Sequence, residues 1–336
     1  MLSRRNFLTA AVGVAAATGL AACAKEDDSS SGSGSGSGGS KALVLGFSQV
    51  GSESGWRSAN TDSVKAAAKE AGYNLKFSDA QQKQENQISA IRSYITQGVD
   101  VIAFSPVVVT GWDAVLKEAK AKKIPVVLTD RSVETSDESL YVTLVGSDFT
   151  EEGRRAGKIL EKVIAKAGLK GQVKIAQLEG TTGAAPAIER AKGFKEVMEA
   201  DHADDWKIVV SQTGDFTRAG GKQVMAAFLQ SNPDVNVLFA HNDDMAIGAI
   251  QSIEAAGKKP GKDILIVSID GVKDGFVAMS EGKINAIVEC NPLLGPQLME
   301  VVQKVKDGKT VERWIKTKEG DFMQDQAAAA LPTRKY

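Results

Sequence analysis

Residues 101–131 read VIAFSPVVVTGWDAVLKEAKAKKIPVVLTDR. The four apolar residues Val101–Phe104 have the length and bounding residues of a buried strand. A helical pattern follows over Trp112–Ala121, and a second short apolar run, Val126–Leu128, closes the unit. A buried strand, a helix and another buried strand within about thirty residues form a right-handed βαβ unit of a parallel sheet.

The same rhythm extends outward in both directions. Upstream lie an apolar run at Ala42–Phe47, an Ala-rich helix over Trp56–Ala71 stopped by Gly72, and a strand at Asn74–Phe77. The helix Gln84–Gln97 carries Ile88, Ile91 and Ile95 at spacings of three and four, and Gly98 ends it. Downstream, short β-rich runs sit at Val173–Gln177, Ile208–Ser211, Val237–Ala240, Leu265–Ile269 and Ala286–Val288. Helices are expected between them, near Thr150–Ala167, Ala187–Ala200, Arg218–Gln230, Met245–Ala256 and Gly275–Gly282. The fold class is therefore α/β with parallel sheets. About ten strands fit two moderate sheets better than one large one, with a division near Val145–Ser147.

Composition narrows the function. With 336 residues, 41 Lys+Arg against 42 Asp+Glu and a net charge of -1, the chain has no basic excess suited to nucleic acid. Two cysteines and two histidines, at no metal-ligand spacing, give no His/Cys metal centre, and no cofactor is expected. Residues 1–22 form an export signal. Ser3-Arg4-Arg5-Asn6-Phe7-Leu8 is a twin-arginine pattern, followed by an apolar stretch too short to span a bilayer. The stretch ends in Leu20-Ala21-Ala22-Cys23, which resembles a bacterial lipobox and implies lipidation of Cys23. Residues 23–40 then continue as a flexible Gly/Ser tether. Lipid, tether and folded domain in that order describe an exported protein held at a membrane. The other cysteine, Cys290, is expected to be a small buried thiol.

In open parallel sheets ligands sit beyond the carboxyl ends of the strands. Reading just past each strand gives Ser48–Arg57, Thr129-Asp130-Arg131, Glu179-Gly180-Thr181, His241-Asn242-Asp243-Asp244 and Asp270-Gly271, with Arg190 on a following helix. Taken singly, Asp130 and Asp270 read equally as turn or cap residues, the arginines as solvated charges, and Trp56 as core. Asn242-Asp243-Asp244 also reads as an N-cap cluster opening the Met245 helix. Their joint placement favours polyhydroxyl recognition. Each sugar hydroxyl both donates and accepts, which suits carboxylates and an amide set against guanidinium groups. The apolar face of a sugar ring suits a flat aromatic such as Trp56 or Phe216.

These residues lie within longer phrases: GFSQVGSESGWR (46–57), QQKQENQ (81–87), TGW (110–112), DRS (130–132), GDFTR (214–218), AHNDDM (240–245) and SIDGV (268–272). In this order, from 46 to 272, the series resembles the periplasmic pentose/hexose-binding proteins of ABC transporters, of periplasmic binding protein type 1. The resemblance implies two Rossmann-like lobes joined by a three-crossover hinge that close on a sugar. It assigns 41–145 with 291–318 to the N-terminal lobe and 146–290 with 319–336 to the C-terminal lobe. It places Glu53, Ser54, Gly55, Trp56, Arg57, Asp130, Arg131, Arg190, Asn242 and Asp270 on the sugar, with Phe216 opposite Trp56 as a stacking pair. The implied ligand is a monosaccharide, galactofuranose first, with arabinose, galactose or ribose behind it. The implied partners are a membrane permease and its cytoplasmic ATPase, and the expected state is a monomer.

The sequence departs from ribose-type relatives at Arg57, where they carry an aromatic, and at Cys290, where they carry a hinge glutamine. Residues 133–140 lack the alternating oxygen ligands of a calcium loop. A sugar-responsive repressor would need a helix-turn-helix where this chain has its signal and tether. An enzyme would have to build on His241, Asp243 and Asp244, and no nucleophile elbow or phosphate loop accompanies them. A sensor subunit presenting sugar to a membrane receptor is the remaining rival.

Overall fold

The computed structural model describes residues 42–336. The signal, Cys23 and the tether expected over residues 1–40 lie outside the described residues.

Two α/β lobes are built on the same plan. The first contains β1 (Val44–Gln49), α1 (Gly55–Glu70), β2 (Asn74–Asp79), α2 (Gln84–Gln97), β3 (Val101–Phe104), α3 (Asp113–Ala121), β4 (Val126–Thr129) and β5 (Thr143–Gly146). The second contains α4 (Phe149–Ala167), β6 (Val173–Glu179), α5 (Ala185–Asp201), β7 (Trp206–Thr213), α6 (Arg218–Ser231) and β8 (Val237–Ala240). It continues through α7 (Asp243–Ala255), β9 (Leu265–Asp270), α8 (Lys273–Ser280) and β10 (Ala286–Glu289). The chain then returns to the first lobe as α9 (Gly295–Lys306) and β11 (Trp314–Lys316), and β12 (Asp321–Met323) ends in the second sheet.

The sheets run β11-β5-β4-β3-β1-β2 and β12-β10-β9-β8-β6-β7. Each therefore has the doubly wound order with a switch point, between β1 and β3 in one and between β6 and β8 in the other. Strands β3, β4, β8 and β9 are buried along their whole length because helices cover both faces. Their continuous apolar runs, without period-two alternation, follow from that double cover. The chain passes between the sheets three times: after β5, after β10 and between β11 and β12.

Two expectations are corrected. The second sheet is not wholly parallel, since β12 pairs antiparallel with β10. An edge strand that arrives through a short turn from the other lobe has no helix to reverse it. The α7 helix starts at Asp243 rather than Met245, because the Asn242 side chain caps it by accepting the Met245 N–H. Among the described residues no helix is long and apolar enough to cross a membrane.

Candidate functional site

The first half of the site is set by how α1 begins. Ser54 is extended at φ -143 and ψ 164, and its Oγ accepts the Arg57 N–H at 3.1 Å. That cap fixes the first turn and buries Trp56 and Arg57 on the side facing the other lobe. The Arg57 guanidinium gives Nε to Glu53 at 3.1 Å, Nη1 to Gln49 at 3.1 Å and Nη2 to Asp130 at 2.8 Å. Burial works against its charge, but Asp130 and Glu53 outweigh that and hold its pKa above the usual value. The guanidinium also lies over the Trp56 ring, 4.7 Å from its centre.

Asp130 stands at the end of β4 in the left-handed region, φ 63, with its N–H on Val145 O at 2.7 Å. Its carboxylate also accepts the Ser105 hydroxyl at 2.9 Å. Arg131 follows, held by Val107 O at 3.2 Å. Burial, reinforced by the neighbouring Arg57, pulls the Arg131 guanidinium down to about 10.

The second lobe supplies the facing wall. Arg190, on α5, gives Nε to Glu152 at 2.8 Å and Nη1 to His241 O at 2.5 Å, and reaches Asp270 at 3.7 Å. The last distance is an ion pair but too long for a hydrogen bond. Asp270 ends β9 at φ 126, a conformation that L-residues seldom adopt. Asp243 holds it there by accepting the N–H groups of Gly271 at 2.8 Å and Val272 at 2.9 Å. Burial pushes the Asp270 carboxyl well above its ordinary range. Asn242 donates to Phe216 O at 3.1 Å, tying the α7 cap to the aromatic. The Phe216 ring fits only because residue 180 is glycine: a Cβ there would lie 1.8 Å from Phe216 Cζ.

Between the two halves lies a cavity with about 280 Å³ of empty space. Glu53, Ser54, Trp56, Arg57, Asp130, Arg131, Arg190, Phe216, Asn242 and Asp270 all line it. Trp56 and Phe216 come from opposite lobes. Gly55 does not line it, because its N–H points to the other lobe and is taken by Asp244 at 2.8 Å. Glu179 is likewise engaged elsewhere, with Gln177 at 2.9 Å.

Phe149, Pro186 and Cys290 complete the wall and were not expected there. Each follows β5, β6 or β10, so the rule of reading past strand ends could have found them. Phe149 escapes that rule because the four-residue β5 is not among the expected strands. Cys290 is a buried free thiol whose pKa burial raises strongly. Its carbonyl accepts Trp56 Nε1 at 2.7 Å, and its sulfur lies 3.4 Å from Ser147 Oγ. Cys290, Glu152 and Glu319 bring their ligand atoms within 4.8 Å of one another. Their carboxylates are already engaged, Glu152 by Arg190 and Glu319 by Thr317 and Arg155. The group forms a polar seam where the crossovers meet.

Known proteins share this architecture. The periplasmic binding protein domain profile matches residues 45–310. The chain belongs to the periplasmic binding protein family. This binding protein is 48% identical to the galactofuranose-binding protein YtfQ of Escherichia coli over 297 residues, covering 87% of this chain and 92% of that one. It is similar to a Mycobacterium smegmatis protein solved in complex with β-D-fucofuranose, with 61% identity, a TM-score of 0.84 and coverage of 88% and 96%. It is also similar to the periplasmic component of the arabinose ABC transporter from Shewanella sp. ANA-3, bound to α- and β-L-arabinofuranose. There the identity is 51%, the TM-score 0.82 and the coverage 87% and 96%.

Proposed function

We propose that this binding protein captures a monosaccharide in its furanose form, galactofuranose before arabinose, galactose or ribose, and delivers it to an ABC-transporter permease. The observation that carries the reading is the inter-lobe cavity, lined by Arg57, Asp130, Arg131, Arg190, Asn242 and Asp270 and flanked by Trp56 and Phe216. Such a wall offers fixed donors and acceptors to hydroxyls and flat apolar faces to the ring. A misplaced hydroxyl would strand buried polar groups, so epimers are rejected. Because both lobes contribute contacts, sugar favours the closed arrangement. The furanose preference rests on the ligands of the relatives.

The protein acts without turnover. His241, Asp243 and Asp244 lie outside the cavity wall, and burial and the nearby Arg190 keep the His241 imidazole neutral. The cavity carboxylates Glu53 and Asp130 are committed to Arg57. The lobes are assigned as 41–145 with 291–318 and 146–290 with 319–336. The mature chain is a monomer anchored through a lipidated Cys23, which keeps it near the permease.

Scanning fluorimetry and calorimetry against a panel of furanoses and pyranoses, with chromatography of the recovered sugar, test the reading. A furanose, galactofuranose foremost, should raise the melting temperature by mass action and be recovered unchanged. A panel without a stabilising monosaccharide, or a converted product, would refute it. Detergent partitioning of wild type against Cys23→Ala tests the anchor.

A further inference from the structure

Asp243 and Asp244 stand beside the cavity without lining it, and their carboxylates face different ways. Asp243 faces inward to the Asp270 turn. Asp244, almost fully buried, faces the other lobe: its Oδ2 accepts the Gly55 N–H at 2.8 Å while Oδ1 takes Arg218 Nε. Gly55 is the first residue of α1, so its N–H has no acceptor within its own helix, and the positive end of the helix attracts a carboxylate. The same turn carries Trp56, which packs in one cluster with Phe149, Ala185 and Val272 of the second lobe.

We infer that Asp244 is the latch of the closed lobes, a carboxylate that holds the first turn of α1 against the second lobe without touching the ligand. It thereby sets how fast the ligand leaves. That consequence for release rests on the proposed sugar site; the latch itself does not. Arg218, paired on its other side with Asp274 at 2.7 Å, orients the Asp244 carboxylate.

The test uses the intact chain and two readouts. Amide exchange at Gly55, followed by NMR, reports the latch directly, with the Arg57 N–H on Ser54 as an internal reference. In wild type the Gly55 N–H should be protected, and more so with saturating galactofuranose. Asp244→Ala should remove that protection at least about tenfold, and Asp244→Asn, which retains an acceptor, should remove less. Arg218→Ala should leave most of the protection in place. Stopped-flow binding should show koff raised about tenfold or more by Asp244→Ala, with kon changed less than about threefold. Gly55 exchange that is the same in wild type and both Asp244 variants, with and without sugar, overturns the latch. Lost protection with unchanged koff overturns its role in release. Asp244-dependent protection in a protein that binds no monosaccharide of the panel supports the latch and sinks the sugar reading.

Discussion

Replacing Glu152 by glutamine should stabilise the protein at pH 8 and leave it nearly unchanged near pH 4.5. Glu152 lies on α4 at 0% exposure, with one carboxylate oxygen on Arg190 Nε at 2.8 Å and the other without a hydrogen-bond partner. Burial pushes its carboxyl from 4.5 up to about 8, against the pull of Arg190. The folded-state value therefore lies above the unfolded one, so the native protein keeps a proton that the unfolded chain has released. Stability from this group is full below about pH 4.5 and is lost progressively as the pH rises toward 8. At about 1.4 kcal/mol per pH unit, the loss reaches about 3 kcal/mol by pH 7. Glutamine has the shape of the protonated acid and still offers a carbonyl oxygen to Arg190. Asp270, Glu319 and Cys290 are also raised by burial and lie within electrostatic reach of Glu152, so the difference between the two curves reports the Glu152 proton together with its coupling to them. Urea unfolding of both proteins at pH 4.5, 6, 7 and 8, followed by circular dichroism, measures the difference. A gap constant to within about 0.5 kcal/mol, or a glutamine variant less stable at pH 8, would show that Glu152 is a settled anion and refute the reasoning.

Three further outcomes follow from the site. Arg57→Ala should abolish sugar binding, and calorimetry checks that. Sequence reasoning alone would expect an intact fold, but the truncation leaves the buried Glu53 and Asp130 with only Arg131, at 3.8 and 3.7 Å, as a cation, so thermal melts should show a loss of about 3 kcal/mol. Asp270→Ala should weaken binding at least about tenfold by calorimetry, since it removes a polar group from the cavity wall, while far-UV dichroism stays native. Gly180→Ala should force the Phe216 ring off the cavity wall and weaken sugar binding about tenfold or more with little change in secondary structure. Unchanged affinity in that variant would remove Phe216 from the site.

The alternating rhythm of the chain carried most of the fold. Val101–Phe104, Val237–Ala240 and Leu265–Ile269 announce themselves because strands covered on both faces must be apolar throughout. The rule that ligands lie past the carboxyl ends of strands then reached most of the cavity residues. It failed where the strands themselves were faint. β11 and β12 are three residues each and only half buried, so no periodic signal marks them, and pairing with distant strands alone makes them strands. Phe149 escapes for the same reason, since it follows the four-residue β5, whereas Pro186 lies on α5 past the readable β6 and becomes a lining residue only once the two sheets face each other.

The sequence by itself determined that the chain alternates strand and helix into two parallel-dominated sheets, and which polar groups stand at the strand ends. Local hydrophobic burial and turn chemistry act over neighbouring residues, so they can be read in order. Only the tertiary structure decided which of those groups meet. Residues 189 apart bring Gly55 to Asp244, and residues 234 apart bring Trp56 to the Cys290 carbonyl. Such pairings depend on how two lobes close, and the placement of Asp243 and Asp244 shows the limit. Adjacent in sequence and identical in chemistry, one supports the Asp270 turn and the other spans the lobes, because successive helix positions point in different directions.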